Sequence, residues 1–117
     1  MKSKFATPLA PISWGELIDK ITILEIKKEN IKSGSALINI NKELDYLNEV
    51  VNSNNCVFEL VCDLKQQLQL VNLQLWQVED DIREKELRQE FASAFIELAR
   101  SVYHLNDERA KIKKLIN

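Results

Sequence analysis

Trp76, Glu79, Asp80 and Arg83 fall on one side of any helix that contains them, and they form the densest group of side chains able to bind or catalyse. Glu79, Asp80 and Asp81 are three consecutive acids beside a tryptophan. Packed close, such carboxylates repel unless a cation faces them. A second polar group, Arg100, Tyr103, Asn106, Asp107 and Arg109, offers candidates for that cation. Arg109 lies four residues after Leu105 and three before Ile112, so it falls on an apolar stripe. A charge there needs a partner, because leaving it unpaired would cost on the order of several kcal/mol. The third group is Trp14, Glu16, Asp19 and Lys20, with Glu16 and Asp19 spaced i, i+3. Paired acids of that spacing, with acids on another helix, are how helical bundles hold divalent metals over phosphates.

Each group also has a plainer reading. Glu79 to Arg83 and Asp81 to Lys85 are favourable i, i+4 pairs, so a solvated salt-bridge ladder accounts for the first. A polar network that fixes helix register accounts for the second. Ser/His/Asp and Cys/His arrangements and phosphate-binding glycine loops are missing from the sequence. One histidine, His104, and no Cys-x-x-Cys leave zinc without ligands. No cofactor and no metal ligand is assigned.

The elements that must position these groups are helices. Two Gly and two Pro in 117 residues, with abundant Leu, Ile, Glu, Lys and Gln, point to an all-α chain. Val57, Val61, Leu64, Leu68, Val71, Leu75, Val78 and Ile82 follow at alternating steps of four and three, an unbroken heptad stripe. This predicts a third helix from Asn55 to about Arg88, about 30 residues and roughly 50 Å long, with Asn55 at its N-cap. Ser13-Trp14-Gly15-Glu16 fits a capping box that starts the first helix, with Ile12 and Leu17 as a hydrophobic staple. Leu17, Ile18, Ile21, Leu24 and Ile31 supply its apolar face, and Ile23 and Ile26 widen it, so this helix is expected to be covered on two sides. Gly34 suits a left-handed C′ position, and Ser35 can cap a second helix over about 36–51. The fourth helix is expected over about 91–116, using Phe91, Phe95, Leu98, Val102, Leu105, Ile112 and Ile116.

The fold class is therefore an antiparallel four-helix bundle with one long third helix, residues 13–117 forming a single helical domain. Pro8 and Pro11 keep residues 1–12 out of helix, as an N-terminal arm whose Phe5, Leu9 and Ile12 can lie against the bundle. With a tight turn near Gln89, Glu79 should stand level with Leu98 to Arg100, Asn72 with Asn106, and Leu68 with Arg109. The third helix is about twice the second, so a second copy is expected to cover what its neighbours leave bare, as a homodimer. A formal charge of −2 argues against nucleic acid and anionic membranes as partners. The basic cluster Arg109, Lys111, Lys113 and Lys114 suits the last turn of a helix. Cys56 and Cys62, six apart, cannot bridge within one helix, and no run of 18 apolar residues occurs. A cytoplasmic protein with free thiols follows as an expectation.

Two blocks carry a family resemblance. Residues 11–27, from Pro11-Ile12-Ser13-Trp14-Gly15-Glu16-Leu17-Ile18-Asp19-Lys20, form the first. The second runs from Leu75-Trp76-Gln77-Val78-Glu79-Asp80-Asp81-Ile82-Arg83 through Glu97-Leu98-Ala99-Arg100-Ser101-Val102-Tyr103 to Asn106-Asp107-Glu108-Arg109-Ala110. Together they resemble a small uncharacterised bacterial family over nearly the whole chain. The resemblance implies no catalytic residues. It implies an accessory role, with related segments in glycan-synthesis or tetratricopeptide contexts. Trp14-Gly15-Glu16-Leu17 is also faintly similar to all-α nucleotide pyrophosphohydrolases, and residues 16–21 to chorismate-mutase helices, whose catalytic arginines and lysine have no counterparts here.

The sequence thus points to a binding or accessory module with a protein or small-molecule partner. The alternative is a small metal-dependent enzyme acting on a phosphorylated or nucleotide substrate. A module predicts that substituting Glu79 or Arg109 changes ligand capture without turnover of any small molecule. A thermal-shift screen against divalent metals, nucleotides and nucleotide-sugars, with Glu79→Gln as control, checks this. Small-molecule recognition requires at least one ligand to raise the melting temperature.

Overall fold

Four α-helices follow one another in the computed structural model: α1 (Trp14–Asn30), α2 (Gly34–Asn52), α3 (Val57–Leu87) and α4 (Ser93–Ile116). The structure describes residues 6–54 and 57–117, without the side chains of Val57, Phe58 and Leu60. The proposed Asn55 cap, Cys56, the Val57 side chain and residues 1–5 of the arm lie outside them. Among the described residues there is no strand, and no helix is long and apolar enough to cross a membrane.

α1 and α3 each touch all the other helices, and α1 carries much of the core. Gly15, Leu17, Ile18, Asp19, Ile21, Thr22, Leu24 and Ile26 are buried along its 17 residues, as a helix covered on more than one side requires. Its start is fixed by Ser13, whose Oγ accepts the Glu16 N–H at 3.2 Å. The staple expected with it is weak, since Leu17 is buried but Ile12 is 55% exposed. Leu9 is 87% exposed, so neither it nor Ile12 lies against the bundle as expected.

The exit from α1 differs from the sequence expectation. Ile31 ends the helix in an extended conformation, φ −95° and ψ 128°, with its side chain packed against the core. Burying Ile31 turns the chain, so no left-handed glycine is needed. Gly34 instead opens α2 without positive φ, and Ser33, not Ser35, holds the N-cap position. The left-handed residue is Gln89, φ 54°, after α3. There Glu90 N–H donates to Lys85 C=O at 2.9 Å and Gln89 N–H to Glu86 C=O at 3.1 Å, the paired bonds of a Schellman turn. This motif sends α4 back along α3.

Leu68, fully buried, sits with Val61, Val71 and Leu75 in one core with Leu17, Ile18, Ile21 and Leu24 of α1. Ile40, Leu44 and Val51 join it from α2, and Ile112 and Ile116 from α4. Gly15 lies beside Asn117 and Asp19 beside Arg109, so α1 runs antiparallel to α4. It also meets α3 with Asp19 at Asn72 and Glu25 at Lys65, again antiparallel. Three helices cannot all be mutually antiparallel, so α1 crosses the α3–α4 pair obliquely. α2 rests on α1 and the start of α3 without reaching α4.

The hairpin of α3 and α4 outruns this core. From Trp76 to Lys111 no residue is buried, and Val78, Ile82, Phe95, Leu98, Val102 and Leu105 are only half-buried along its seam. The radius of gyration, 16.7 Å, accordingly exceeds the roughly 13 Å of a compact chain of this size. Phe91 precedes α4, half-exposed, with its ring edge-on to Phe95 at 5.3 Å.

Two glycines make opposite demands. A Cβ on Gly15 would stand 2.5 Å from the Lys113 carbonyl oxygen, whereas one on Gly34 would meet nothing within 4 Å. Gly15→Ala is therefore expected to destabilise by about 1–3 kcal/mol, against the usual helix preference for alanine. Gly34→Ala should stabilise by about 0.4–1 kcal/mol. Urea denaturation of both variants checks the difference in sign.

Candidate functional site

The crossing of α1 over the hairpin buries a carboxylate. The side chain of Asp19 is 3% exposed, and three residues on two other helices answer it. Arg109 Nε donates to Asp19 Oδ1 at 2.9 Å, and Arg109 Nη2 donates to Oδ2, a bidentate fork. Asn72 Nδ2 donates to Oδ1 at 2.9 Å, and Lys113 Nζ stands 3.8 Å from Oδ2. Asn72 gives its second amide hydrogen to Thr22 Oγ1 at 2.8 Å, while the Thr22 hydroxyl donates to the Asp19 carbonyl at 2.7 Å. Lys113 also pairs with Glu16 at 2.6 Å, which diverts Glu16 from the expected capping-box return.

Burial pushes the Asp19 carboxyl up, but the hydrogen bonds of Arg109 and Asn72 and the charges of Arg109 and Lys113 outweigh it. The net result lies below the ordinary value of 3.8. The Asp19 hydrogen bond raises Arg109 above its ordinary value, burial opposes it, and the charges of Asp19, Glu16 and Glu79 add to the rise. Both groups are ionised at every physiological pH.

Beside this knot a cleft of about 170 Å³ opens between α1, α3 and α4. Ile23, Ile26, Leu75 and Trp76 supply its apolar wall. Lys27, Asn72, Glu79, Asn106 and Arg109 supply its polar one. Arg109 reaches Asn106 Oδ1 from Nη1 at a longer 3.4 Å. Among the described residues neither Glu79 nor Lys27 has an ion-pair partner within 4 Å, although each shares this cleft with opposite charge.

The structure thus gathers Trp76, Glu79, Asn106 and Arg109 at one cleft, with Asp19 and Glu16 behind them. The other sequence candidates stand elsewhere. Arg100 is nine residues from Arg109, about 180° around the helix, and Asp107 is about 160° away, so both point to solvent. Tyr103 is 68% exposed and packs edge-on to His104 at 5.7 Å. Asp80 and Arg83 pair with each other on the surface, which replaces the predicted Glu79–Arg83 pair. Asp81 accepts from Gln77, and Lys85 turns to Glu90 at 2.9 Å instead of Asp81. Lys20 pairs with Glu43 of α2 at 3.1 Å, and Trp14 is half-buried against the core.

Asn72 shares the cleft with Asn106, the level expected for it, and Glu79 lies in the same cleft with Asn106 and Arg109. Leu98, expected level with Glu79, lies with Asp81, Glu84, Lys85 and Arg88. Sequence reasoning gives Thr22 no role, places Lys113 only in a basic helix end, and uses Asn72 only as a level on the helix. The Asn72 signal was a polar residue one place after Val71 and three before Leu75, inside the apolar stripe.

The acid pair expected to suit a divalent metal is engaged otherwise: Glu16 holds Lys113, and Asp19 accepts from Arg109 and Asn72. Among the described residues no group of three or more His, Cys, Asp and Glu could hold a metal ion. Asp19 accepts three hydrogen bonds, two of them from Arg109, and so holds that guanidinium in one orientation.

Linkage gives the sign of the pH effect. Because Asp19 is depressed in the folded state, its stabilisation is fully present above about pH 3.8 and is lost as pH falls through the lower folded value. Asp19→Asn should therefore lower stability at pH 7 and flatten the acid limb of a denaturation series taken from pH 5 to 2. Arg109→Met, which strands the buried carboxylate, should cost about 3–5 kcal/mol at pH 7. The pair Asp19→Leu with Arg109→Met should recover part of that loss, as read by a double-mutant cycle.

Against known proteins, one family model matches residues 9–117, that of a family of unknown function (DUF6165), and the chain belongs to that family. No curated protein and no solved structure matches it.

Proposed function

We propose that this member of the family is a binding module whose recognition element is the outward edge of the Arg109 guanidinium. One observation supports the reading above others: Asp19 occupies Nε and Nη2 of an arginine that lines a cleft. A guanidinium has five N–H donors. Two serve Asp19 and one reaches Asn106, which leaves two for a ligand. The side chain is already ordered by folding, so binding does not have to order it again.

The matching ligand presents a pair of anionic oxygens, a carboxylate or a phosphate, to that edge. Lys27 adds a second positive charge on the same cleft. A volume of about 170 Å³ is below the roughly 300–1,000 Å³ of pockets for drug-sized molecules, so the ligand is compact. An Asp19 committed to Arg109 and Asn72 favours capture over turnover. This reading keeps the module cytoplasmic, supported by the free thiol of Cys62, and homodimeric, supported by the half-exposed seam of the hairpin.

Isothermal titration and thermal shift with acetate, 4-methylpentanoate and inorganic phosphate test the proposal. Saturable binding of at least one anion is expected, with about 2.7 kcal/mol of added stability at one hundred times its Kd. Arg109→Lys keeps the charge opposite Asp19 but removes the fork, and should weaken that binding about tenfold or more. If millimolar concentrations of all three anions leave the melting temperature unchanged, the proposal fails.

A further inference from the structure

Two charges of opposite sign face the same cleft without meeting. Arg109 stands on α4 and Glu79 on α3; both line the cavity, and no ion pair within 4 Å joins them. They are nonetheless close enough for the Glu79 charge to help keep Arg109 protonated. Glu79 has no cation of the described residues within 4 Å, whereas its neighbours Asp80 and Glu84 both do. Opposite charges left apart across a small cavity match a molecule that carries the reverse pair. Between them lies an apolar wall of Trp76, Leu75, Ile23 and Ile26.

We infer that the cleft takes a compact zwitterion: a free amino acid with an apolar side chain, its carboxylate on Arg109 and its ammonium on Glu79. The inference rests on Arg109 as the anion-binding edge and adds the second pole and the apolar contact. Each pole is a charge-assisted hydrogen bond, the stronger class of such contacts. The side chain of the ligand gains by leaving water against the indole and the isoleucines. The cleft size favours a ligand such as leucine over one with a bulkier ring system.

Isothermal titration of the full chain with L-leucine, 4-methylpentanoate and leucinamide separates the poles. The second probe lacks the ammonium and the third lacks the carboxylate. Leucine is expected to bind about tenfold or more tightly than either. Glu79→Gln, at an exposed position, should abolish the advantage of leucine over 4-methylpentanoate without weakening 4-methylpentanoate. Circular dichroism confirms the helical fold of the variant. Equal binding of leucine and 4-methylpentanoate to the unmodified protein would overturn the zwitterion and leave the Arg109 reading standing. A leucine advantage that survives in Glu79→Gln would also overturn it. Binding of leucinamide alone, or of none of the three, would overturn the zwitterion, and the Arg109 reading falls with it when acetate and inorganic phosphate also fail to bind.

Discussion

A carboxylate taken out of water must find donors inside the protein, and Asp19 finds them on helices that are far apart in sequence. Its position on α1 dictates that α4 present Arg109 and Lys113, and that α3 present Asn72, at one level of the bundle. Hydrophobic contacts among Leu17, Ile21, Leu68 and Ile112 would tolerate sliding by a turn, because one apolar turn resembles the next. The Asp19 cluster would not, since a one-turn slip leaves a charge unpaired. A buried pair of this kind adds little net stability compared with apolar residues of the same shape, and its contribution here is to the choice of register.

That division explains what could be read in advance. Helix number, approximate boundaries and the Ser13 cap are local properties, carried by periodicity and by residues within a turn of each other. Arg109 announced itself as a charge on an apolar stripe in need of a partner. Which acid would answer it was not local information, and Asp19, ninety residues away, looked like one half of an acid pair with Glu16. The Schellman turn into α4 has a glutamine as its left-handed residue and so carries no glycine signal. Gly34 did carry that signal, but burial of Ile31 ended α1 first. Arg100, Tyr103 and Asp107 were grouped with Arg109 by nearness in sequence, although helical phase sends them outward.

The cleft inherits its order from the core beneath it. Arg109 is held at two nitrogens, Asn72 is held at its amide, and Trp76 follows Leu75, which is buried. Groups fixed by folding lose little freedom when a ligand arrives, so even a small site can bind with useful strength. Glu79 differs, being exposed and supported only by its helix. One wall of the site is therefore rigid and the other adjustable.

The hairpin beyond that cleft has no buried residue between Trp76 and Lys111, and its tip is joined to the rest only along its own seam. Its amide protons are protected by helix hydrogen bonds that can break without disturbing the core. Exchange with solvent there follows local opening, at a free energy well below that of global unfolding. Asn72 and Arg109 mark the border at which the two helices become part of the cooperative unit. A molecule lodged between Glu79 and Arg109 would tie the first loose turn of α3 to the first fixed turn of α4, and move that border toward the tip.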